Sequence, residues 1–208
     1  MVCHQFKGGT GTASRRITVQ NRSYTVGVLV QCNYGLRPRL SVAGVPVGQE
    51  IPDLLPCYVA LEDGSYAGDR HCEQRSGPAP QQEELGSIIV VVATDAPLLP
   101  HQLKRVVKRA ALGIGRMGGI GGNSSGDIFL AFSTANPGAD RADGLVTWQA
   151  LPNEQINPLF EATVDATSEA ILNAMLAAET LTGANGLRIF ALPHDRLLAA
   201  LRKYGRLH

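Results

Sequence analysis

The chain has 208 residues, 44% of them hydrophobic, and a net charge of +1. That is enough to bury one proper core, which excludes wholesale disorder, and the charge gives no global field to draw in nucleic acid or an anionic membrane. No stretch approaches the roughly 20 apolar residues of a membrane-spanning helix, and the opening Met1-Val2-Cys3-His4-Gln5-Phe6-Lys7 lacks the charged-then-apolar order of a secretory signal.

Cys3, Cys32, Cys57 and Cys72 form neither a C-x-x-C pair nor a dense disulfide framework, so free thiols in a reducing, cytoplasmic compartment are the simpler expectation. Neither Cys3-His4 nor His71-Cys72 has the spacing of a zinc site; no metal or cofactor is expected.

In chain order, residues 16–19 and 24–31 read as two strands joined by a hairpin turn at Gln20-Asn21-Arg22-Ser23. Asn33 stands at the end of the second, beside Gly35, either as an ordinary turn former or as an amide facing a cleft. Residues 45–86 are rich in Pro, Gly, Ser and charge and read as a long surface loop, of a length that is usually functional or disordered. The loop ends at Gly86-Ser87, and the β-branched run 88–92 predicts a strand buried on both faces, with Ser87 at its entrance.

Pro97 and Pro100 open a helix carrying Leu103, Val106, Val107, Ala110 and Ile114 at helical spacing. Its basic face, Lys104, Arg105, Lys108 and Arg109, lacks the interleaved aromatics of a nucleic-acid surface and reads as solvated. Gly113, Gly115 and Gly118 match G-x-G-x-x-G, but the order helix, glycines, strand is wrong for a dinucleotide loop, so these glycines serve close packing or line a pocket. Residues 128–134 predict a second apolar strand with Ser125 and Asp127 at its mouth, on one face if strand geometry already holds there. Such a pair either ends a loop or hydrogen-bonds a neighbouring nucleophile or amine. Residues 145–151, with Trp148, predict a third core strand; a helix runs from Asn157-Pro158 towards Gly183, with Ala162, Ala166, Ala170, Ala174 and Ala178 as a packing stripe. A last strand at 187–192 and a helix at 193–203 follow, where His194-Asp195 reads as a helix start.

Buried strands interleaved with helices give an α/β chain. Ser87 has no G-x-S-x-G elbow and no recognisable histidine base. If the Gly86–Ser87 bond were cut, Ser87 would carry an α-amine of pKa about 7.7–8.0, tied to its own hydroxyl and able to act as its base. A mobile loop feeding a rigid strand suits such a cut, because the severed end can leave.

The run Gly86-Ser87-Ile88-Ile89-Val90-Val91-Val92-Ala93-Thr94-Asp95-Ala96-Pro97-Leu98, followed by Gly122-Asn123-Ser124-Ser125-Gly126-Asp127-Ile128-Phe129-Leu130-Ala131-Phe132-Ser133-Thr134, resembles the DmpA family of L-aminopeptidase/D-esterases and β-aminopeptidases, peptidase S58. His4-Gln5-Phe6-Lys7-Gly8-Gly9, Gln31-Cys32-Asn33-Tyr34-Gly35 and Ala191-Leu192-Pro193-His194-Asp195-Arg196 fit it too. The resemblance implies a four-layer αββα sandwich, shared with ornithine acetyltransferase-like proteins. It also implies self-cleavage at Gly86–Ser87 into an α part (1–86) and a β part (87–208) that together make one domain. Ser87 would be the nucleophile, Ser125 and Asp127 would tune it and its amine, Asn33 would donate to the oxyanion, and Gly122, Asn123 and Ser124 would line the substrate site. The family's pair is Ser-x-Glu or similar, so Asp127 shortens the reach. Small peptides or amino acid amides are the implied substrates, and an oligomer of α/β pairs the implied assembly. The family carries a further region before the segment matching Met1, with strands, part of the pocket and an aromatic hydroxyl. An acyltransferase on this scaffold, or a fragment that only associates, are the other readings.

Overall fold

The computed structural model describes residues 1–73, 84 and 86–207. The chain opens with a short hairpin, β1 (Val2–Cys3) and β2 (Phe6–Lys7), turned by His4 and Gln5, both at positive φ. β3 (Thr10–Val19) and β4 (Arg22–Asn33) pair antiparallel along their whole length. Their turn is tighter than the four residues expected: Gln20 and Asn21 alone make it, at φ 49° and 61°, the two-residue loop whose twist matches the strands.

β6 (Ser87–Thr94) pairs antiparallel with β4 and parallel with β7 (Ile128–Ser133), so the main sheet runs β3-β4-β6-β7. A parallel neighbour requires a crossover. It is made by α2 (Pro100–Val107) and α3 (Ala110–Arg116), where the sequence suggests one continuous helix. α4 (Asn157–Leu176) lies over β3 and β4. Its alanine stripe sets the distance: Ala162, Ala166, Ala170 and Ala174 are buried, and a Cβ at Gly11 of β3 would overlap the Ala170 carbonyl. Ala178 falls beyond the helix end. Gly113, from the glycine run, brings α3 equally close to α4, where a Cβ would stand 2.7 Å from the Val164 carbonyl. Gly115, Gly118 and Gly119 line a cavity of about 490 Å³ with Pro38 and Arg39, away from Ser87.

Of the loop at 45–86, the described part holds α1 (Val47–Glu50) and β5 (Cys57–Tyr58); residues 74–83 and 85 lie outside the described residues. β5 joins a small sheet with β9 (Leu187–Ile189) and β8 (Leu181–Thr182), and α5 (His194–Lys203) ends the chain's regular structure. The cysteines correct the expectation of free thiols: Cys3 pairs with Cys32 and Cys57 with Cys72. The spacing hid this because β1 and β5 bring together cysteines 29 and 15 residues apart.

Residues 145–150 form no strand; Leu145 and Trp148 are exposed, and only Leu151 is buried. The backbone there finds side chains rather than a neighbouring strand, with Asn136 hydrogen-bonded to both the N–H and the carbonyl of Gln149. The two-sided burial expected at 88–92 and 128–134 is also corrected. Val26, Val28, Val30, Ile88, Val90 and Val92 pack under the helices, while Leu29, Ile89, Ile128, Leu130 and Phe132 stand exposed on the opposite face. Side chains alternate along a strand, and the described residues cover the sheet on one side only. The described residues thus supply one helix layer and one sheet. None of their helices is long and apolar enough to cross a membrane, and no group of three His, Cys, Asp or Glu gathers as a metal site.

Candidate active site

Ser87 begins β6 and Asn33 ends β4, and the antiparallel register sets them directly opposite each other. Directly paired residues share a sheet face. By alternation that is the face of Leu29, Ile89 and Ile128, so Ser87 opens onto the bare apolar side.

The Gly126 N–H donates to Ser87 Oγ at 2.9 Å, which orients the hydroxyl and leaves its proton free to move elsewhere. Asn33 Oδ1 accepts the Val2 N–H at 2.8 Å. That bond decides the amide's orientation: the carbonyl end is committed to the β1 hairpin, and the Nδ2 end is the donor available to a ligand. Asp127 Oδ1 accepts from the Ile88 N–H at 3.0 Å and from Ser125 Oγ at 2.6 Å. The pair is therefore joined to each other and fixed on the residue that follows Ser87, and with this short side chain the carboxylate reaches the backbone of β6.

Gly86 lies flat on the end of β4, where a Cβ would overlap the Asn33 carbonyl and come within 2.9 Å of Tyr34 Cα. Only glycine lets the backbone pass this close, a stronger requirement than the conformational freedom that makes Gly-Ser a weak signal in sequence. Gly64-Ser65, the other Gly-Ser pair, sits in an exposed turn with Ser65 Oγ donating to Asp63. Of the three residues expected to line the substrate site, Ser124 Oγ donates to the Glu84 carbonyl at 2.5 Å, Gly122 lies beside the Glu84 side chain, and Asn123 is exposed in the turn. His194 and Asp195 are at the start of α5, where His194 Nε2 meets the Leu176 carbonyl at 3.0 Å, and take no part in the cluster.

Three buried polar groups went unnoticed in the sequence. The Glu84 side chain is only 6% exposed; its Oε1 accepts the Gly35 N–H at 3.0 Å, and its Oε2 has no hydrogen-bond partner, with Arg39 Nη1 3.8 Å away. The Tyr34 hydroxyl is buried without a partner; burial first, then the charges of Glu84 and Asp127, push its pKa up, so it stays protonated. His4 is fully buried, its ring edge-on to Tyr34 at 4.9 Å. A carbonyl can only accept, so Nδ1 carries the proton that meets Leu36 O at 3.2 Å, and Nε2 is a buried, unpartnered lone pair. Polar spacing alone gives no signal for any of them.

Burial lowers the His4 pKa to about 4, the Leu36 hydrogen bond opposing and the Arg37 charge adding to it. The folded form therefore binds fewer protons than the unfolded one between the ordinary value near 6.5 and about 4. Stability is fully present above pH 6.5 and falls as pH drops through that window, by up to about 1.4 kcal/mol per unit. Urea midpoints measured from pH 7 to 4 should fall, and a His4→Gln variant should flatten the curve.

The Peptidase family S58 model matches residues 1–189. The chain is 53% identical over all its 208 residues to the beta-peptidyl aminopeptidase BapA of Sphingosinicella microcystinivorans, and covers 50% of that protein. It superposes with TM-score 0.80 on the L-aminopeptidase D-Ala-esterase/amidase of Ochrobactrum anthropi, a prototype serine aminopeptidase with a variant of the Ntn hydrolase fold, at 44% identity over 100% of this chain and 51% of that one. The PH0078 protein of Pyrococcus horikoshii gives TM-score 0.81 at 42% identity, over 99% of this chain and 50% of that one. The chain spans about half the length of the curated relatives it matches. With a family model along nearly all its length and a fold shared with the Ntn hydrolase aminopeptidases, this chain belongs to peptidase family S58.

Proposed function

We propose that the chain is the nucleophile-bearing part of a serine aminopeptidase that activates itself by cutting the Gly86–Ser87 bond. The observation that carries the reading is Ser87 facing Asn33 at the end of the sheet, with the glycine before it pressed onto the same strand end. In the self-cleavage step Ser87 Oγ adds to the Gly86 carbonyl carbon. The Gly86–Ser87 C–N bond then breaks, and the nitrogen takes the proton that the hydroxyl gives up. Water hydrolyses the resulting ester, leaving a carboxylate on Gly86 and a free hydroxyl and α-amine on Ser87.

The amine then serves as base for the hydroxyl in turnover. Ser87 Oγ attacks the carbonyl of a substrate's N-terminal residue, the leaving amine departs with a proton, and water releases the acyl group. Ser125 and Asp127, bonded to each other and to the Ile88 N–H, keep the start of β6 rigid and hold negative charge beside the amine. Asn33 Nδ2 donates to the oxyanion in both steps. Removing one such donor typically costs about 10²–10³ in rate, so Asn33→Ala should lower kcat by that factor while melting only slightly earlier than the parent.

β-Peptidyl and L-aminoacyl substrates are the classes named for the relatives, and the present chain is proposed to take a peptide, amide or ester with a free amine. The bare face bearing Leu29, Ile89, Ile128, Leu130 and Phe132 supports a pocket closed by a further layer, so that activity belongs to the covered form, assembled as α/β pairs. Intact mass spectrometry of the purified wild-type protein tests the reading. Two fragments broken before Ser87 are expected; an uncut chain that still hydrolyses aminoacyl amides rules the mechanism out.

A further inference from the structure

The carboxylate of Glu84 has no part in the chemistry just described, yet it is nine-tenths buried and lies two residues before the bond to be cut. Its Oε1 takes the Gly35 N–H, and its backbone carbonyl takes the Ser124 hydroxyl, which comes from the loop that also supplies Gly126 to Ser87. The uncut segment therefore runs antiparallel along the end of β4, Ser87 opposite Asn33, Gly86 against the Asn33–Tyr34 peptide and Glu84 on Gly35. Gly35 itself cannot shift, since it has φ +87° and abuts the His4 ring.

An attack on a backbone carbonyl by the very next side chain needs that carbonyl held against the donor, and glycine is the residue least able to hold itself. A clamp upstream supplies the restraint. We infer that Glu84 is a positioning residue for self-cleavage: its side chain and carbonyl fasten the last residues of the α part to Gly35 and Ser124, so that the Gly86 carbonyl is presented to Ser87 Oγ and Asn33. Oε2, left unpartnered with Arg39 at 3.8 Å, makes the clamp releasable, because no second hydrogen bond has to be broken when the new end departs. The clamp acts once per molecule, before the enzyme exists.

The inference rests on the proposed cut at Gly86–Ser87, and the test separates the two. The half-time for conversion of one chain into two is followed by intact mass for the full protein, Glu84→Ala and Glu84→Gln. Turnover of an aminoacyl amide is measured per processed chain, and melting is compared in the uncleavable Ser87→Ala background. The expected result is cleavage slowed on the order of tenfold or more in Glu84→Ala, the usual weight of a hydrogen bond to a charged group. Glu84→Gln, whose amide oxygen can still accept from Gly35, recovers most of the rate, and turnover per processed chain stays within about twofold. Wild-type cleavage with Glu84→Ala cutting at the same rate overturns the role of Glu84 alone. So does an equal loss of cleavage and of turnover per processed chain. A wild-type chain that never cuts overturns the clamp together with the reading of Ser87.

Discussion

Replacing Ser87 with alanine leaves a single chain of 22.1 kDa where the wild type yields two fragments, and it abolishes turnover. Both outcomes have one cause, since the same oxygen attacks the Gly86 carbonyl once and the substrate carbonyl thereafter. Removing a triad nucleophile elsewhere costs about 2 × 10⁶ in kcat, so no residual rate should be visible above background. The fold gives no reason for collapse. Ser87 Oγ accepts only the Gly126 N–H, at a solvent-exposed position, and the β4–β6 pairing uses backbone groups that alanine retains. Melting within about 0.5 kcal/mol of the parent is the expected control. Ser87→Cys separates the two roles further. A thiol can make the acyl shift and still carry a neighbouring amine, so it should cut slowly, and the processed fraction should turn over slowly as well. Alanine that still cuts at Gly86, or a cut at any other bond, would remove Ser87 from both steps.

How much of this was readable in advance depended on whether a feature was local. The β3–β4 hairpin, the entry of Ser87 into a strand, the Ser125–Asp127 contact and the alanine face of α4 are set by residues a few positions apart, and the sequence pattern carries them. What failed involved partners distant in the chain. An apolar run does not say how many layers cover it, so 88–92 and 128–134 read as buried on both sides when one side is bare. The segment around Trp148 has strand-like composition but no strand beside it to bond. Cys3 meets Cys32 only because β1 lies against the end of β4. Glu84 looked like one more charge in a polar loop, and its burial follows from Gly35 and Ser124, which are 49 and 40 positions away. Asn33 was identified as a site residue, but the bond from Val2 that turns its amide was not.

Arg37 is the largest of these omissions, and its replacement should be the most destabilising of the changes considered. It is 1% exposed, and its guanidinium donates to five backbone carbonyls: His4, Gln5, Ile51, Asp53 and Leu54. Its plane also covers the Phe6 ring at 3.2 Å. Burial lowers its pKa to about 9, so it remains charged at neutral pH. One cation thus fastens the β1–β2 turn to the segment after α1, and the same hairpin carries the Val2 N–H that orients Asn33. Arg37→Ala would leave those carbonyls buried without donors and a cavity beside Phe6, a loss of about 3–5 kcal/mol by analogy with other broken buried networks. For a chain of this size that is a fall in Tm of about 10 °C or more. Arg37→Met discriminates between packing and hydrogen bonding. It fills most of the volume and donates nothing, so if the carbonyls dominate it should melt nearly as early as alanine. Arg37→Lys should recover little, because an ammonium has three donors and no planar fork to span five acceptors. A methionine variant as stable as the wild type would show that the guanidinium serves only to fill space. With the carbonyls dominant, Asn33 should also be mispositioned in the alanine variant, and cleavage at Gly86–Ser87 should slow even below the melting transition.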